Sequence, residues 1–315
     1  MNRALRTAAS AASPIVSALL ERAHARRGGV ILAYHEMSEA RLREQLGAVA
    51  ERYRYVPLSE FVDRLARGQS TVGLAAITYD DGYGPTIEAA AALALEHGWP
   101  MTFYLPTRYL DSRQPFWYQE LGALLERSSR RSGTLGGIAF ELGSPAATAA
   151  ANAALNRFFR SLQSEPEVER QLRELRRLLH GSEERPAWLE TTAPIGWERV
   201  RELARHDALS FDAHTVNHLA LARLDDDAIG AEMERSRERI EAFTGRRVEH
   251  FCYPYGGRDE ISAAACEQAR RRFRSSVTLL RGRCAAGADR AFLPRVPLYE
   301  GDSRSIAALK VATAR

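Results

Sequence analysis

The sequence has 315 residues and almost no lysine: Lys310 is the only one among 44 basic residues, so arginine carries nearly all of the positive charge. A phosphate-binding loop of the Walker type needs a lysine after its glycines, and Schiff-base catalysis needs a buried amine. A lysine close to the C-terminus suits neither role. The sequence therefore excludes P-loop nucleotide hydrolysis and lysine-based covalent catalysis.

Cysteine and long apolar runs are also scarce. Cys252, Cys266 and Cys284 form no CxxC pair, and an odd count in a long chain is not typical of a disulfide framework. No apolar run approaches the ~20 residues of a membrane-spanning helix. Beyond residue 29 the arginines are interleaved with acidic residues and form no basic strip with aromatic side chains, so we expect no nucleic-acid partner.

The first 29 residues carry a net charge equal to the +4 of the whole chain, from five arginines and one glutamate. A weak apolar stretch followed by Ala23-His24-Ala25 is compatible with a poor secretory signal. The favoured interpretation is an amphipathic helix that touches the protein body or a membrane surface. We therefore expect a cytoplasmic protein in which residues 1–29 contact either the protein body or, peripherally, a membrane surface. Secretion or export to the periplasm is the less favoured alternative.

Short apolar runs alternate with helical patterns along much of the chain. The runs, rich in β-branched and aromatic residues, are 30–34, 74–79, 101–105, 209–211, 250–253 and 276–279. Strands that alternate with helices pair in parallel, which predicts an α/β barrel or a doubly wound sheet. Between the strands, helices are predicted at 59–67 with Ser59 as N-cap, at 85–97 with Gly98 as C-cap, and at 225–243.

The regular spacing breaks once. About 100 residues separate Leu105 from Leu209 without a predicted strand, far more than one βα connection needs. Part of this stretch is helical, and 132–143 is predicted as a loop or short hairpin. The apolar residues that share one helix face are Val168, Leu172, Leu175 and Leu179. We expect a mainly helical insertion at about 111–195 within a barrel that spans residues 30–315.

Two polar clusters follow predicted strands, where parallel α/β barrels build their active sites. Asp80 and Asp81 follow the run 74–79; adjacent carboxylates at a buried strand end repel each other unless one binds a cation, although acidic pairs also cap helices. His214 and His218 are four residues apart, a spacing that on a helical turn suits joint coordination of one metal ion. Two histidines and an aspartate from another strand end would complete a hydrolytic metal site with an open position.

A third cluster follows the run 250–253. Pro254-Tyr255-Gly256-Gly257 is typical of a rigid turn. Its backbone N–H groups either serve an ordinary turn or donate to a developing oxyanion.

Taken in this order, the three motifs resemble those of the polysaccharide deacetylases of the NodB-homology group, carbohydrate esterase family four. The resemblance covers residues 30–110 and 195–300. The family motifs T-[FY]-D-D-G, H-[ST]-x-x-H and [R]-x-P-Y-G correspond here to Thr78-Tyr79-Asp80-Asp81-Gly82, His214-Thr215-Val216-Asn217-His218 and Cys252-Tyr253-Pro254-Tyr255-Gly256. The resemblance implies a distorted (β/α) barrel of the deacetylase type.

The resemblance also implies roles for the residues of these motifs. Asp81, His214 and His218 would hold a divalent metal, with zinc favoured and cobalt or nickel as alternatives. Asp80 would be the general base for a metal-bound water, whose pKa the metal lowers toward ~7. The backbone N–H of Tyr255 would face the oxyanion.

Two positions depart from the family pattern. Cys252 stands where the family has an arginine that orients the base. Arg295, which follows another predicted strand, is the candidate replacement, with a surface ion pair as the alternative. No histidine follows His250, although the family usually supplies its general acid from a C-terminal Leu-x-His motif.

The general acid must therefore come from elsewhere. Leu32-Ala33-Tyr34-His35 resembles the Leu-x-Tyr-His motif of members whose motif order is circularly permuted. This resemblance implies that His35 is the acid; the alternative is a histidine hydrogen-bonded at a strand end.

Together these features predict a metal-dependent hydrolase that removes an N-acyl group, with N-acetyl favoured, from an amino-sugar unit of a polysaccharide, oligosaccharide or glycolipid. The alternatives are a deformylase of a lipid-linked amino sugar, an amidase for a non-sugar compound, and a non-catalytic carbohydrate-binding protein. Phe116-Trp117-Tyr118 either anchors a helix or offers a stacking surface to a sugar ring. The sequence sets no oligomeric state.

Overall fold

The computed structural model describes residues 28–189 and 192–314. The N-terminal segment, for which contact with the protein body or a membrane surface is predicted, lies outside the described residues except for Gly28 and Gly29. The strands are β1 (Val30–Tyr34), β2 (Arg54–Tyr55), β3 (Leu74–Tyr79), β4 (Met101–Leu105), β5 (Ser132–Leu135), β6 (Ile138–Glu141), β7 (Leu209–Ala213), β8 (His250–Cys252), β9 (Ser275–Arg281) and β10 (Leu293–Pro297). The α-helices are α1 (Glu39–Ala50), α2 (Leu58–Ala66), α3 (Gly84–His97), α4 (Thr107–Ser112), α5 (Trp117–Glu126), α6 (Pro145–Arg160), α7 (Glu165–His180), α8 (Trp197–Leu203), α9 (Asp226–Thr244), α10 (Ala263–Arg272) and α11 (Arg304–Ala312).

Seven parallel strands close into a barrel. Their order around the ring is β1, β10, β9, β8, β7, β4 and β3. The ring closes because β3 pairs back onto β1 along the whole of that strand, from Val30↔Ala75 to Tyr34↔Tyr79. The barrel is therefore confirmed and the doubly wound sheet is wrong, since an open sheet has no such closing pair. The short β2 adds only to the start of β3.

Alternate residues along the barrel strands lie in different cores. Val30 and Leu32 of β1 belong to the large core that includes residues of the surrounding helices, whereas Ile31 belongs to a second cluster. That cluster combines buried residues of several strands with α2, which is expected when successive side chains point to opposite faces of a strand. Inward-pointing side chains fill such a barrel instead of leaving a pore.

The segment between β4 and β7 has a core of its own. Trp117, Leu155 and Phe159 are buried there with the apolar face of α7, which is the predicted row Val168, Leu172, Leu175 and Leu179. The predicted loop or hairpin is an antiparallel hairpin in which Ser132 pairs with Glu141. Five of the α-helices, α4 to α8, lie between β4 and β7.

Some local predictions are wrong. α2 begins at Leu58 with Pro57 as its N-cap and no side-chain capping bond, so Ser59 is not the cap. Proline at this position fixes a backbone angle that suits entry into a helix, and it takes the place of the expected serine cap.

Among the described residues, every helix is too short or too polar to cross a membrane.

Candidate metal centre and active site

The polar clusters meet at one rim of the barrel. Asp80 and Asp81 directly follow β3, and His214 directly follows β7, with only β4 between the two strands. His35 follows β1, the other neighbour of β3. Because all of these strands are parallel, their carboxyl ends face the same opening, and side chains distant in sequence come together there.

Asp81, His214 and His218 form a three-ligand set. Asp81 Oδ1 lies 3.4 Å from His214 Nε2 and 3.3 Å from His218 Nε2, and the three side chains are buried. Tetrahedral ligands bound at about 2.0–2.2 Å are roughly 3.3–3.6 Å apart. The donor set and its spacing therefore fit a divalent metal such as zinc.

The histidines do not share a helical turn as predicted. Residues 214–218 form a bend, with Thr215 at φ 68° and His218 at φ 56°. Glu232 of α9 holds this bend by accepting hydrogen bonds from the backbone N–H of Val216 and Asn217 at 2.9 and 2.8 Å. The conformation of this bend is therefore fixed by the buried carboxylate of Glu232, which the local sequence does not reveal.

Left-handed backbone conformations concentrate at this rim. Among the described non-glycine residues, five have a positive φ, and four of these lie in the three motifs: Asp81, Thr215, His218 and Tyr255. For an L-residue this conformation costs roughly 1–2 kcal/mol. Surrounding structure must impose it, which is typical of functional sites.

Hydrogen bonds with neighbouring groups orient the side chains of His214 and Asp81. The Nδ1 of His214 lies 2.8 Å from the backbone oxygen of Cys252, so donation to that carbonyl leaves Nε2 free for a metal. Tyr118 donates its hydroxyl to Asp81 Oδ2 at 2.8 Å. Burial alone would raise the pKa of Asp81, but hydrogen bonds with His214 and His218 outweigh it and hold that pKa well below its usual range.

Asp80 is paired with Arg295 in the interior of the barrel. Nη1 and Nη2 of Arg295 donate to the two carboxylate oxygens at 2.7 and 2.6 Å, and both side chains are at most 2% exposed. Burial favours the neutral acid, but the guanidinium charge outweighs it and lowers the pKa of Asp80. Asp80 is therefore a charged carboxylate in a fixed orientation.

Arg295 reaches the site from an unexpected place. It lies inside β10, not after a strand, and it is fully buried, so the surface ion pair is wrong. Its Nη2 also lies 3.1 Å from the sulfur of Cys252. The guanidinium that the motif resemblance places at position 252 is thus supplied to Asp80 by Arg295, in contact with the small side chain of Cys252.

His35 lies beside Asp80 at the entrance of the site. Its Nε2 lies 3.5 Å from Asp80 Oδ2, and its side chain is 27% exposed. It lines a cavity of about 360 Å³ together with Asp80, Asp81 and both metal-site histidines. The site thus opens to solvent on the side of His35.

Tyr255 also lines the cavity. Its φ is 61°, and its hydroxyl donates to the backbone oxygen of His218 at 3.0 Å. Trp117 donates to the same hydroxyl at 3.1 Å. These contacts fix the turn that carries the Tyr255 backbone N–H.

The structure thus brings six of the seven predicted site residues to one cavity. The seventh, Arg295, is buried in the barrel interior and binds Asp80 from there. Tyr118 and Glu232 are positioning residues that sequence reasoning missed. Phe116 and Trp117 are buried and anchor α5, with Trp117 stacked on Phe159 at 5.1 Å. They cannot stack on a sugar, whereas Tyr118 lines the cavity.

A closed parallel barrel with an Asp-His-His set and a second, arginine-bound aspartate defines the class of barrel hydrolases that the motifs indicate. The family model for polysaccharide deacetylase matches residues 67–273, about two thirds of the chain. The chain belongs to the polysaccharide deacetylase family, as the motif resemblance indicates.

Solved structures share the fold. Streptococcus pyogenes deacetylase PplD, in complex with acetate, has a TM-score of 0.58 at 13% identity, covering 90% of this chain and 97% of that one. IcaB from Ammonifex degensii has a TM-score of 0.56 at 16% identity, covering 91% and 98%. The putative polysaccharide deacetylase BA0330 from Bacillus anthracis has 0.56 at 12%, covering 90% and 68%. Curated protein sequences give no match.

Proposed function

We propose that this protein is a metal-dependent N-deacetylase that hydrolyses the acetamido group of amino-sugar units in a polysaccharide. The observation that carries the proposal is the adjacency of the Asp81, His214 and His218 set to the buried pair of Asp80 and Arg295. Membership of the polysaccharide deacetylase family supports the same activity.

The metal would be held by Asp81 Oδ1 and the Nε2 atoms of His214 and His218. A bound divalent ion supplies a water of lowered pKa and polarises a carbonyl oxygen. Burial outweighs the attraction of Asp81 and lowers the pKa of His218. This favours the neutral imidazole that a ligand must be.

Asp80 accepts the proton of the attacking water. Arg295 occupies one side of each carboxylate oxygen, so only the side of Asp80 that faces the cavity is available for this proton. Because the arginine also keeps Asp80 ionised, the base is present as a carboxylate throughout the neutral pH range. Its low basicity would suit a water whose pKa a bound divalent ion lowers.

His35 and Tyr255 act on the other atoms of the amide. His35 Nε2, at the exposed side of the cavity, donates a proton to the departing amine. The Tyr255 N–H donates to the oxygen of the tetrahedral intermediate. Leu279, the only aliphatic residue among the described residues of the cavity wall, offers an apolar contact to the acyl methyl.

The alternatives differ in substrate, not in machinery. A deformylase or a non-sugar amidase would use the same residues, because function on a shared fold depends on the loops around the site. A non-catalytic carbohydrate-binding protein has no need of a buried base held by an arginine. The presence of both Asp80 and Arg295 therefore favours an enzyme.

The test is acetate release from N-acetylated oligosaccharides, compared with formate or acetate release from lipid-linked amino sugars. We expect acetate from the oligosaccharides, loss of activity on chelation and recovery on adding zinc or cobalt. Asp81→Ala and His214→Ala should lose the metal, measured by elemental analysis. Asp80→Asn should retain it and lose ~10²–10⁴-fold in rate. Chelation-resistant hydrolysis, or a full metal equivalent in His214→Ala, would contradict the proposal.

A further inference from the structure

The insertion contributes a wall to the catalytic cavity. Asn152, Asn156 and Arg160 of α6 line it, spaced four residues apart so that they share one face of the helix. Arg160 is already engaged: its guanidinium lies 4.6 Å from the Tyr255 ring centre and 3.5 Å from Glu260. The two asparagines are therefore the neutral polar groups that α6 offers to a ligand.

The asparagines are arranged to bind. Asn156 Nδ2 donates to Asn152 Oδ1 at 2.9 Å and to the backbone oxygen of Asn152 at 2.9 Å. Within residues 28–189 and 192–314, Asn152 Nδ2 and Asn156 Oδ1 have no hydrogen-bond partner. One free donor beside one free acceptor suits hydroxyl and acetamido groups, which both donate and accept.

A second groove begins where the catalytic cavity ends. It has a volume of about 500 Å³, lies between α5 and α6, and shares Asn152 with the cavity. Its described lining is mostly small or uncharged, and Glu126 is the only ionisable residue among it. The lining includes Gly122, Glu126, Leu142, Ser144, Thr148 and Ala149.

We propose that this groove binds the glycan chain beyond the reacting sugar, with Asn152 at the junction. The inference rests on the proposed function and deepens it, because it commits to a neutral, linear glycan of several units instead of a single lipid-linked sugar. An acidic glycan is disfavoured: the groove presents a carboxylate at Glu126 and no cation among its described residues. Both volumes lie in the range of pockets that enclose a small ligand.

Two variants fill the groove from opposite walls. Gly122→Leu adds a side chain where a Cβ meets no atom within 4 Å, and leucine favours a helix over glycine by about 1 kcal/mol, so the fold is kept. Ala149→Arg projects a long side chain from α6. The matched control is Ala150→Arg, because Ala150 is the next residue of the same helix, is equally an exposed alanine, and does not line the groove.

The experiment measures kcat/KM for acetate release from N-acetylglucosamine dimers and hexamers, in β-1,4- and β-1,6-linked series. We expect the wild-type and Ala150→Arg proteins to prefer the hexamer by about tenfold in at least one series. Gly122→Leu and Ala149→Arg should lose most of that preference, chiefly through a higher KM for the hexamer. A hexamer in which glucuronate alternates with N-acetylglucosamine should show no preference over its dimer.

The outcomes separate the two proposals. Two results would overturn glycan binding in the groove while leaving the proposed deacetylase activity standing. One is acetate release without length dependence in the wild-type protein, and the other is a length dependence that both groove variants retain. If no oligomer releases acetate, the proposed function fails and the groove falls with it.

Discussion

The buried pair of Asp80 and Arg295 gives the sharpest quantitative prediction. The perturbation is a double-mutant cycle of Asp80→Asn, Arg295→Gln and the combined variant. The two side chains are 2% and 0% exposed and joined by two hydrogen bonds of 2.7 and 2.6 Å. Each single change therefore leaves one buried charge without its partner.

Removing one partner of such a pair costs about 3–5 kcal/mol of stability, because the remaining charge keeps its desolvation penalty. The double variant carries no buried charge and keeps two amide-sized side chains. Its loss should fall short of the sum of the single losses by about 3 kcal/mol, the upper range for coupled residues.

The assay is urea unfolding in the presence of a chelator, so that metal binding does not add to the stability. A matched control exists on the surface. Arg199 donates two hydrogen bonds of 2.8 Å to Glu88 in the same forked geometry, but these side chains are 45% and 46% exposed. The cycle of Arg199→Gln and Glu88→Gln should give a coupling energy below about 1 kcal/mol.

Coupling energies of similar size for the buried and the exposed pair would refute the reasoning.

The same variants test the proposed role of Arg295 in catalysis. Without Arg295, burial is no longer opposed and the pKa of Asp80 should rise. Arg295→Gln should then lower kcat with little change in KM, and its activity should recover partly at higher pH.

Three further predictions concern single residues. Tyr118→Phe removes the hydrogen bond to Asp81 Oδ2, so metal affinity in a competition titration should fall about 10–100-fold; unchanged affinity would rule out a positioning role. His35→Gln should keep the metal and lose ~10²–10⁴-fold in kcat, and full turnover would disprove its role as the acid. Burial, with a smaller contribution from Arg274 against Asp63, lowers the pKa of His250 to about 3. The buried neutral imidazole makes its full contribution to the free energy of unfolding above pH ~6.5, and this contribution is lost as pH falls toward 3. Between pH 8 and pH 5 the wild-type protein should lose about 2 kcal/mol more than His250→Asn in urea unfolding; equal losses would contradict this.

The barrel was predictable because its strands are continuous apolar runs. Val30–Tyr34, Leu74–Tyr79 and Met101–Leu105 have the predicted bounds, since strands buried on both faces carry few polar interruptions. β2 has only two residues and leaves no pattern. β10 contains Pro294, at which its register with β9 shifts. Proline is rare inside a sheet, so its presence argues against predicting a strand from the sequence.

The site residues could be predicted where they belong to a recognisable motif. They could not be predicted where only the tertiary fold brings them to the site. Asp81, His214 and His218 stand in short motifs. Tyr118 and Glu232 reach the same site from α5 and α9. Tyr118 stands in the predicted aromatic run 116–118, but neither local sequence indicates the hydrogen bond that each residue makes at the site. The bend at His214 was mistaken for a helical turn because a spacing of four is shared by helices and by loops that tertiary contacts hold.

The pairing of β1 with β10 has a consequence for the order in which the protein can fold during synthesis. β1 pairs with β10, so the earliest and the latest barrel strands to leave the ribosome are direct neighbours. They also carry or precede His35 and Arg295, which both approach Asp80 Oδ2. A nascent chain therefore cannot place both side chains beside Asp80 until synthesis of β10 is finished.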